Sequence, residues 1–410
     1  MREKIQRLRA VGAAWLRHPL LRDYRLLLAL WLLLAVVATV LKYERSDNNF
    51  LIYRGVFWHV INQLPLYIHY PAEYFDLNHY GPVFSYVIAP FAVLPRFLGL
   101  LLWNIALALS LYVAVRRSTF TRYQQLFILW FCAHDLLTCL FMQQFNIAVT
   151  SILVLGYCLV ERERDWSAAF ILMLGAMVKL LPVVGVVFFF FSRHKVRFAL
   201  ACFVWAAVFF AAPMLISSPG YIVGTYGEWY QALVDKNASN ITSWGDDIYT
   251  MMNNISALGM VRRISGSPYY SDLWVIAPAM LLMAVCFFRV GQWRHEAFRQ
   301  TVLAALLMFV VLFSTGSENS SYVTAFVGIA LWYTAAPWQR GGWDVALMVF
   351  AFVLASLGTT DVFPASIRKN IIHAYALKAL PVTVIWLKLC YEMLREDYAA
   401  ARQRQACLNT

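Results

Sequence analysis

The sequence predicts an all-α integral membrane protein that meets the bilayer many times, and three observations predict it. Of its 410 residues, 61% are hydrophobic and only 14% are charged, with a mean hydropathy of +0.61, whereas soluble domains carry about 25% charged residues. Ten apolar runs recur, at residues 24–42, 97–115, 123–142, 145–160, 196–216, 273–288, 302–313, 322–338, 345–357 and 374–390, near the length that about 30 Å of hydrocarbon demands. Basic residues gather in short clusters between these runs, as the positive-inside rule expects. The same rule accounts for the net charge of +12, so nucleic acid is not implied as a partner; membrane lipids are.

The N-terminus holds Arg2, Lys4, Arg7, Arg9, Arg17, Arg22 and Arg25 against Glu3 and Asp23. It lacks an apolar core followed by a small-residue cleavage site, so the first span reads as a retained anchor. Residues 1–23 are then a basic cytoplasmic segment, 24–392 one polytopic membrane domain, and 393–410 a cytoplasmic tail. Clusters at Arg116/Arg117/Arg122, Arg162/Arg164, Arg193/Lys195/Arg197, Arg289/Arg294/Arg299 and Arg340 also belong in the cytoplasm. That assignment requires two segments to enter the membrane without a full crossing. Residues 80–95, interrupted by Pro82 and Pro90, dip part way. Residues 168–191, broken at Lys179 and Pro182, form two half-depth helices meeting at Lys179-Leu180-Leu181-Pro182, and a broken membrane helix usually lines a cavity. The expected total is about 10–12 helices, some half-spanning.

Six polar segments then share the outer face: 43–79, 143–146, the Lys179 break, 217–271, 314–321 and 359–373, with juxtamembrane helices in the longer loops. Seven cysteines lack metal-ligand spacing and imply no disulfide framework. No cofactor is implied. Asp246-Asp247 has no histidine or third carboxylate near it in sequence, which argues against a metal.

Candidate functional residues follow from these outer segments. Asp47 stands just after the first span, where a partly desolvated carboxylate suits a general base, or where it caps the next helix. His79-Tyr80-Gly81-Pro82 is a helix-start signal and a ligand candidate. Gln144 and Asn146, in Gln143-Gln144-Phe145-Asn146, offer amides to sugar hydroxyls or close a turn. Within the preceding span, His134-Asp135 is either a functional pair or a satisfied structural one. Lys179 needs an anionic partner, a phosphate or a protein carboxylate.

Further along, Glu228-Trp229-Tyr230 and Trp244-Gly245-Asp246-Asp247 combine acids with aromatic faces, as carbohydrate and interfacial sites both do. Asn253-Asn254-Ile255-Ser256 leads through Gly259 to Arg262-Arg263, offering Asn254, Ser256 and Arg263 as donors for a sugar or phosphate. Glu318, in Ser317-Glu318-Asn319-Ser320-Ser321, binds substrate or caps a helix. Arg368 and Lys369, followed by His373, are cations on the unexpected side, facing lipid phosphates in general or one lipid-phosphate substrate.

Taken in order, these pieces resemble the family 87 glycosyltransferases, multispan enzymes that include polyprenyl-phosphate-mannose-dependent α-mannosyltransferases. The resemblance rests on Asp47 with Tyr53 and Leu66-Tyr67; Tyr80-Gly81-Pro82 through Pro90 and Leu94-Pro95; Gln144-Phe145-Asn146; Lys179 with Pro182; and Asn254-Ile255-Ser256 through Gly259 to Arg263. It implies a GT-C type fold in the cell (inner) membrane with the active site on the periplasmic or extracellular side. It further implies an inverting transfer of a hexose, mannose as the family's best-known case, from a polyprenyl-phosphate donor to a lipid-linked or glycan acceptor. Asp47 would be the base. Two other readings stay open at the level of residues: a flippase or transporter of lipid-linked sugars, and a polysaccharide polymerase or ligase that relies on Arg262 or Arg263.

Overall fold

The computed structural model describes residues 18–242, 254–267 and 270–399, and among them every regular element is helical. Helix α1 (Tyr24–Lys42) is started by Asp23, whose carboxylate accepts the Arg25 N–H at 2.7 Å. It is followed by α2 (Asn48–Asn62), α3 (Phe84–Ala92) and α4 (Arg96–Arg116), the last beginning directly after Pro95. Helices α5 (Arg122–Phe131) and α6 (Ala133–Phe141) make one path bent by 46° at Cys132. Then come α7 (Asn146–Glu161), α8 (Asp165–Val178), a 3-10 helix at Leu181–Phe191, and α9 (Lys195–Ala211) with its extension Ala212–Leu215.

The long segment after α9 contains α10 (Pro219–Thr242) and α11 (Ala257–Ser265). The rest comprises α12 (Leu273–Phe287), α13 (Glu296–Leu312), α14 (Tyr322–Ala335), α15 (Gly342–Phe350) continued by a π turn at Ala351–Ser356, a second π turn at Arg368–His373, and α16 (Ala379–Arg395). Three helices are long and apolar enough to cross a membrane, α1, α4 and α9 with its extension, or four when the bent α5–α6 pair is one span. The remaining apolar runs form shorter helices, because 3-10 and π turns and in-helix prolines such as Pro278 interrupt regular hydrogen bonding inside stretches that hydropathy alone reads as continuous.

Burial separates the layers. Helices α13 and α14 are enclosed along nearly their whole length. Helix α9 is peripheral, with only 17% of its apolar window covered and Val196 and Phe203 largely exposed, as a lipid-facing helix should be.

The two anomalous segments are both built from short helices. Helix α3 has nine residues, about 14 Å at 1.5 Å per residue, too short to cross. Helix α8 and the 3-10 helix form a hairpin: Ser192 Oγ donates to Asp165 Oδ1 at 2.8 Å, and Arg197 clasps the same carboxylate at 2.7 and 2.9 Å. Fourteen α residues and eleven 3-10 residues each give about 21–22 Å, so the hairpin has two limbs of matched length. Lys179 is at the turn.

Candidate active site

The hairpin tip is fixed to the start of α3 by a glycine contact. Gly81 N–H donates to the Val178 carbonyl at 3.0 Å, and a Cβ on Gly81 would lie 2.1 Å from the Met177 carbonyl oxygen. Only glycine permits that approach. It sets Tyr80 beside Lys179, whose Nζ lies 5.7 Å from the ring centroid. Tyr80 is itself clamped: Asn78 accepts its N–H at 2.9 Å and donates to its carbonyl at 3.1 Å, and the Tyr67 hydroxyl donates to that carbonyl at 3.0 Å.

A polar chain runs on from there. The Tyr53 and Tyr80 hydroxyls are 3.0 Å apart, and Tyr80 donates to Gln144 Oε1 at 3.1 Å. Lys179 Nζ donates to Asn146 Oδ1 at 2.7 Å, and Asn146 Nδ2 donates to the Ser320 and Ser321 hydroxyls at 2.9 and 3.3 Å. Residues from α2, the 76–80 loop, α7, the hairpin tip and the 314–321 loop thus meet around one cavity of about 480 Å³. Small-molecule sites typically span about 300–1,000 Å³.

Helix α10 closes the side of this hollow. Trp229 Nε1 donates to the His79 carbonyl at 2.9 Å, and Leu233, Lys236, Asn237 and Asn240 line the cavity. Their spacing of three, four and seven residues marks one helical face. Among the described residues, the charged groups on the hollow are Asp76, Lys179, Lys236 and Glu318. Burial pushes the Glu318 carboxyl above the usual glutamate range, opposed by Lys179 and Lys236. Burial, aided by Lys236, lowers His79 to about 4, so its imidazole is uncharged at neutral pH. Both His79 ring nitrogens are buried without a hydrogen-bond partner among the described residues, leaving one donor and one acceptor for a ligand.

Of the residues nominated from sequence, Tyr80, Gln144, Asn146, Lys179 and Glu318 meet at this cavity. Six others do not line it. Asp47 is 3% exposed and lies off the hollow, gripped by Arg96 through Nε to Oδ2 at 2.8 Å and Nη2 to Oδ1 at 2.7 Å. This corrects the expectation that its carboxylate shares the hollow with Lys179. A carboxylate leaving water at the interface needs a cation, and Arg96 at the start of α4 supplies one.

Asn254 and Ser256 brace the wall from behind. The Ser256 hydroxyl donates to Asn254 Oδ1 at 2.6 Å and accepts the Gly259 N–H at 3.2 Å, capping α11. The intervening Ile255 N–H donates to the Ser317 carbonyl at 2.7 Å. Arg263 donates to the His373 carbonyl at 2.6 Å, Arg368 pairs with Asp361, and Lys369 is exposed. No residue of segment 359–373 lines the cavity, and its cations are engaged locally or by solvent.

His134-Asp135 is a structural pair. Both reach Ser356, at 2.8 and 2.6 Å, tying the start of α6 to the first π turn. Asp246-Asp247 lies outside the described residues.

Sequence reasoning missed Asp76, Lys236, Asn237 and Asn240. The signal for the last three was present as helical spacing inside a segment that reads as a loop. Nothing local marked Asp76.

A family model described as glycosyltransferase family 87 matches residues 78–315, more than half of the chain. The match takes in Tyr80, Gln144, Asn146 and Lys179 and stops short of Glu318; Asp47 precedes it. No curated protein and no solved structure matches.

Proposed function

The chain belongs to glycosyltransferase family 87, and from that premise we propose that this membrane glycosyltransferase moves a hexose, mannose in the first instance, from a polyprenyl-phosphate donor to a lipid-linked or glycan acceptor on the outer face of the cell membrane. The observation that carries the proposal is Lys179. Its amine is held at the tip of the hairpin by Asn146, in a cavity that also carries Lys236, the carboxylates of Asp76 and Glu318, amides, tyrosines and a neutral histidine. Family membership sets the transporter reading aside. The polymerase reading loses its basis because Arg262 pairs with Asp272 and Arg263 with the His373 carbonyl, both off the cavity.

In the proposed reaction the acceptor oxygen attacks the anomeric carbon as the bond from that carbon to the phosphate oxygen breaks. The electron pair leaves on phosphate, and a single displacement inverts the centre. Phosphate needs cationic stabilisation as charge develops, and Lys179 with Lys236 supplies it. Gln144, Asn146, His79 and Glu318 hold sugar hydroxyls. The acceptor proton goes to a carboxylate. Asp47 has this role through the family resemblance; Arg96 is about one-third exposed, so an arriving lipid phosphate competes for it and uncovers the carboxylate. A second reading is favoured by one observation: Asp76 already lies on the hollow.

Purified protein assayed against a panel of polyprenyl-phosphate hexoses tests the proposal. One of them should serve as donor, and Lys179→Met should lower kcat by about two orders of magnitude or more, the size expected for one charge-stabilising group. Use of nucleotide sugars alone would overturn the donor assignment. Asp47→Asn and Asp76→Asn separate the two bases: loss of a general base costs about 10²–10⁴-fold, and the variant that retains near-normal turnover is not the base.

A further inference from the structure

We infer that the end of the molecule opposite the hollow carries a built site for the phosphate headgroup of one anionic phospholipid. A second cavity, of about 670 Å³, lies there, lined by Arg22, Arg25, Arg116 and Arg122 with Asp23 and Tyr24. Among the described residues four arginines line it with one carboxylate, Asp23, which accepts the Arg25 N–H at the start of α1. The cavity lies about 31 Å from the Asp47 end along α4, twenty-one residues at 1.5 Å each. It therefore belongs to a different site.

Two of the four arginines, Arg116 and Arg122, are held in place although all four are exposed. Arg116 lies over Tyr24, its guanidinium carbon 3.3 Å from the ring centroid, and Nη1 donates to Gln125 Oε1 at 2.9 Å. Tyr24 donates to the same amide oxygen at 2.9 Å, so one acceptor ties ring and guanidinium together. Arg122 donates to the Arg22 carbonyl at 3.3 Å. The N-termini of α1 and α5 both open here, adding the positive ends of two helix dipoles. A guanidinium fork held in place loses little entropy on binding phosphate oxygens.

A free phosphate and a lipid phosphate share this headgroup chemistry. The structure favours the lipid, because a further cavity of about 230 Å³ shares Arg22 and Arg122 and continues over Tyr123 and Leu126. Tyr123 is 48% exposed on the flank of a membrane helix, which provides a path for an acyl chain. Basic pockets between membrane helices bind anionic headgroups in this way.

The test uses the full-length protein, purified and delipidated in detergent. Native mass spectrometry after titration with phosphatidylglycerol should show one tightly retained lipid, and phosphatidylcholine should not replace it. Arg25→Gln with Arg122→Gln leaves the Arg116–Tyr24 stack intact and should weaken retention about ten- to thirtyfold, because each basic residue near an anionic group contributes a factor of about five. Arg294→Gln, an exposed arginine elsewhere, should change nothing. Equal losses in both variants would show only diffuse surface attraction and overturn the inference. Displacement of the lipid by millimolar inorganic phosphate would overturn it in favour of a free-phosphate site.

Discussion

At the scale of single residues, charge set in an apolar context was the legible signal. Lys179 stands out because an ammonium inside an apolar run has no cheap structural role, and it lies on the cavity beside Asn146 and Tyr80. Asp47 was equally conspicuous, yet its partner was not, for Arg96 is 49 residues away and nothing in the local pattern joins them. Asn254 and Ser256 read as ligands and turned out to be braces, since the types that bind sugars also cap helices. Glu318 yields a measurable consequence. Burial raises its carboxyl pKa, and the ionised form is the one that balances Lys179 and accepts from a hydroxyl. Transfer should therefore fall as pH drops through that raised value, above the usual glutamate range, and recover as pH rises. Glu318→Gln cannot titrate, so its profile should lose that acid limb while its plateau is lower. An unchanged limb in the variant would assign it to another group.

At the scale of elements, the hairpin and α10 do most of the positioning. The Lys179 break and its two flanking limbs were readable because Lys179-Leu180-Leu181-Pro182 interrupts an apolar stretch too long for one span and too short for two. The eleven-residue 3-10 return limb was not, because its sequence, Leu181–Phe191, is as apolar as any α-helix here. Helix α10 hid its Lys236, Asn237 and Asn240 face in a segment whose polarity suggested a loop. The tightest joint between elements is Gly81 on Met177 and Val178. Gly81→Ala adds one methyl where a carbonyl oxygen already stands, so the α3 entry loop must lift from the hairpin tip and carry Tyr80 away from Lys179. A displacement near 1 Å at a reacting centre costs about a hundredfold in rate. Purified Gly81→Ala protein should show that loss in kcat with membrane insertion retained, and activity within twofold of the parent would mean the joint does not position the site.

At the scale of the whole molecule, the claim that organises all others is sidedness, and the charges argue it. The end away from the hollow is a basic layer: Arg299 pairs with Glu161, Arg197 with Asp165, and Arg340 with Glu392, while Arg289 donates to the Met393 and Glu396 carbonyls. The positive-inside rule draws a basic layer of this kind to the cytoplasm, which predicts a hollow that opens outward. Helix α13 offers a direct measurement because its two ends are marked. Gly316 lies on the hollow just beyond its C-terminus and is exposed, and Arg294 is exposed just before its N-terminus. The intervening seventeen residues span about 26 Å. Of the native cysteines among the described residues, five are buried and Cys202 is half-buried, so single cysteines placed at 316 and 294, with Cys407 replaced by serine, report cleanly. In right-side-out vesicles a membrane-impermeant maleimide should label Gly316→Cys directly and Arg294→Cys only after permeabilisation. The reverse pattern would put the hollow in the cytoplasm, where nucleotide sugars are available, and with it would go the reason for a lipid-phosphate donor.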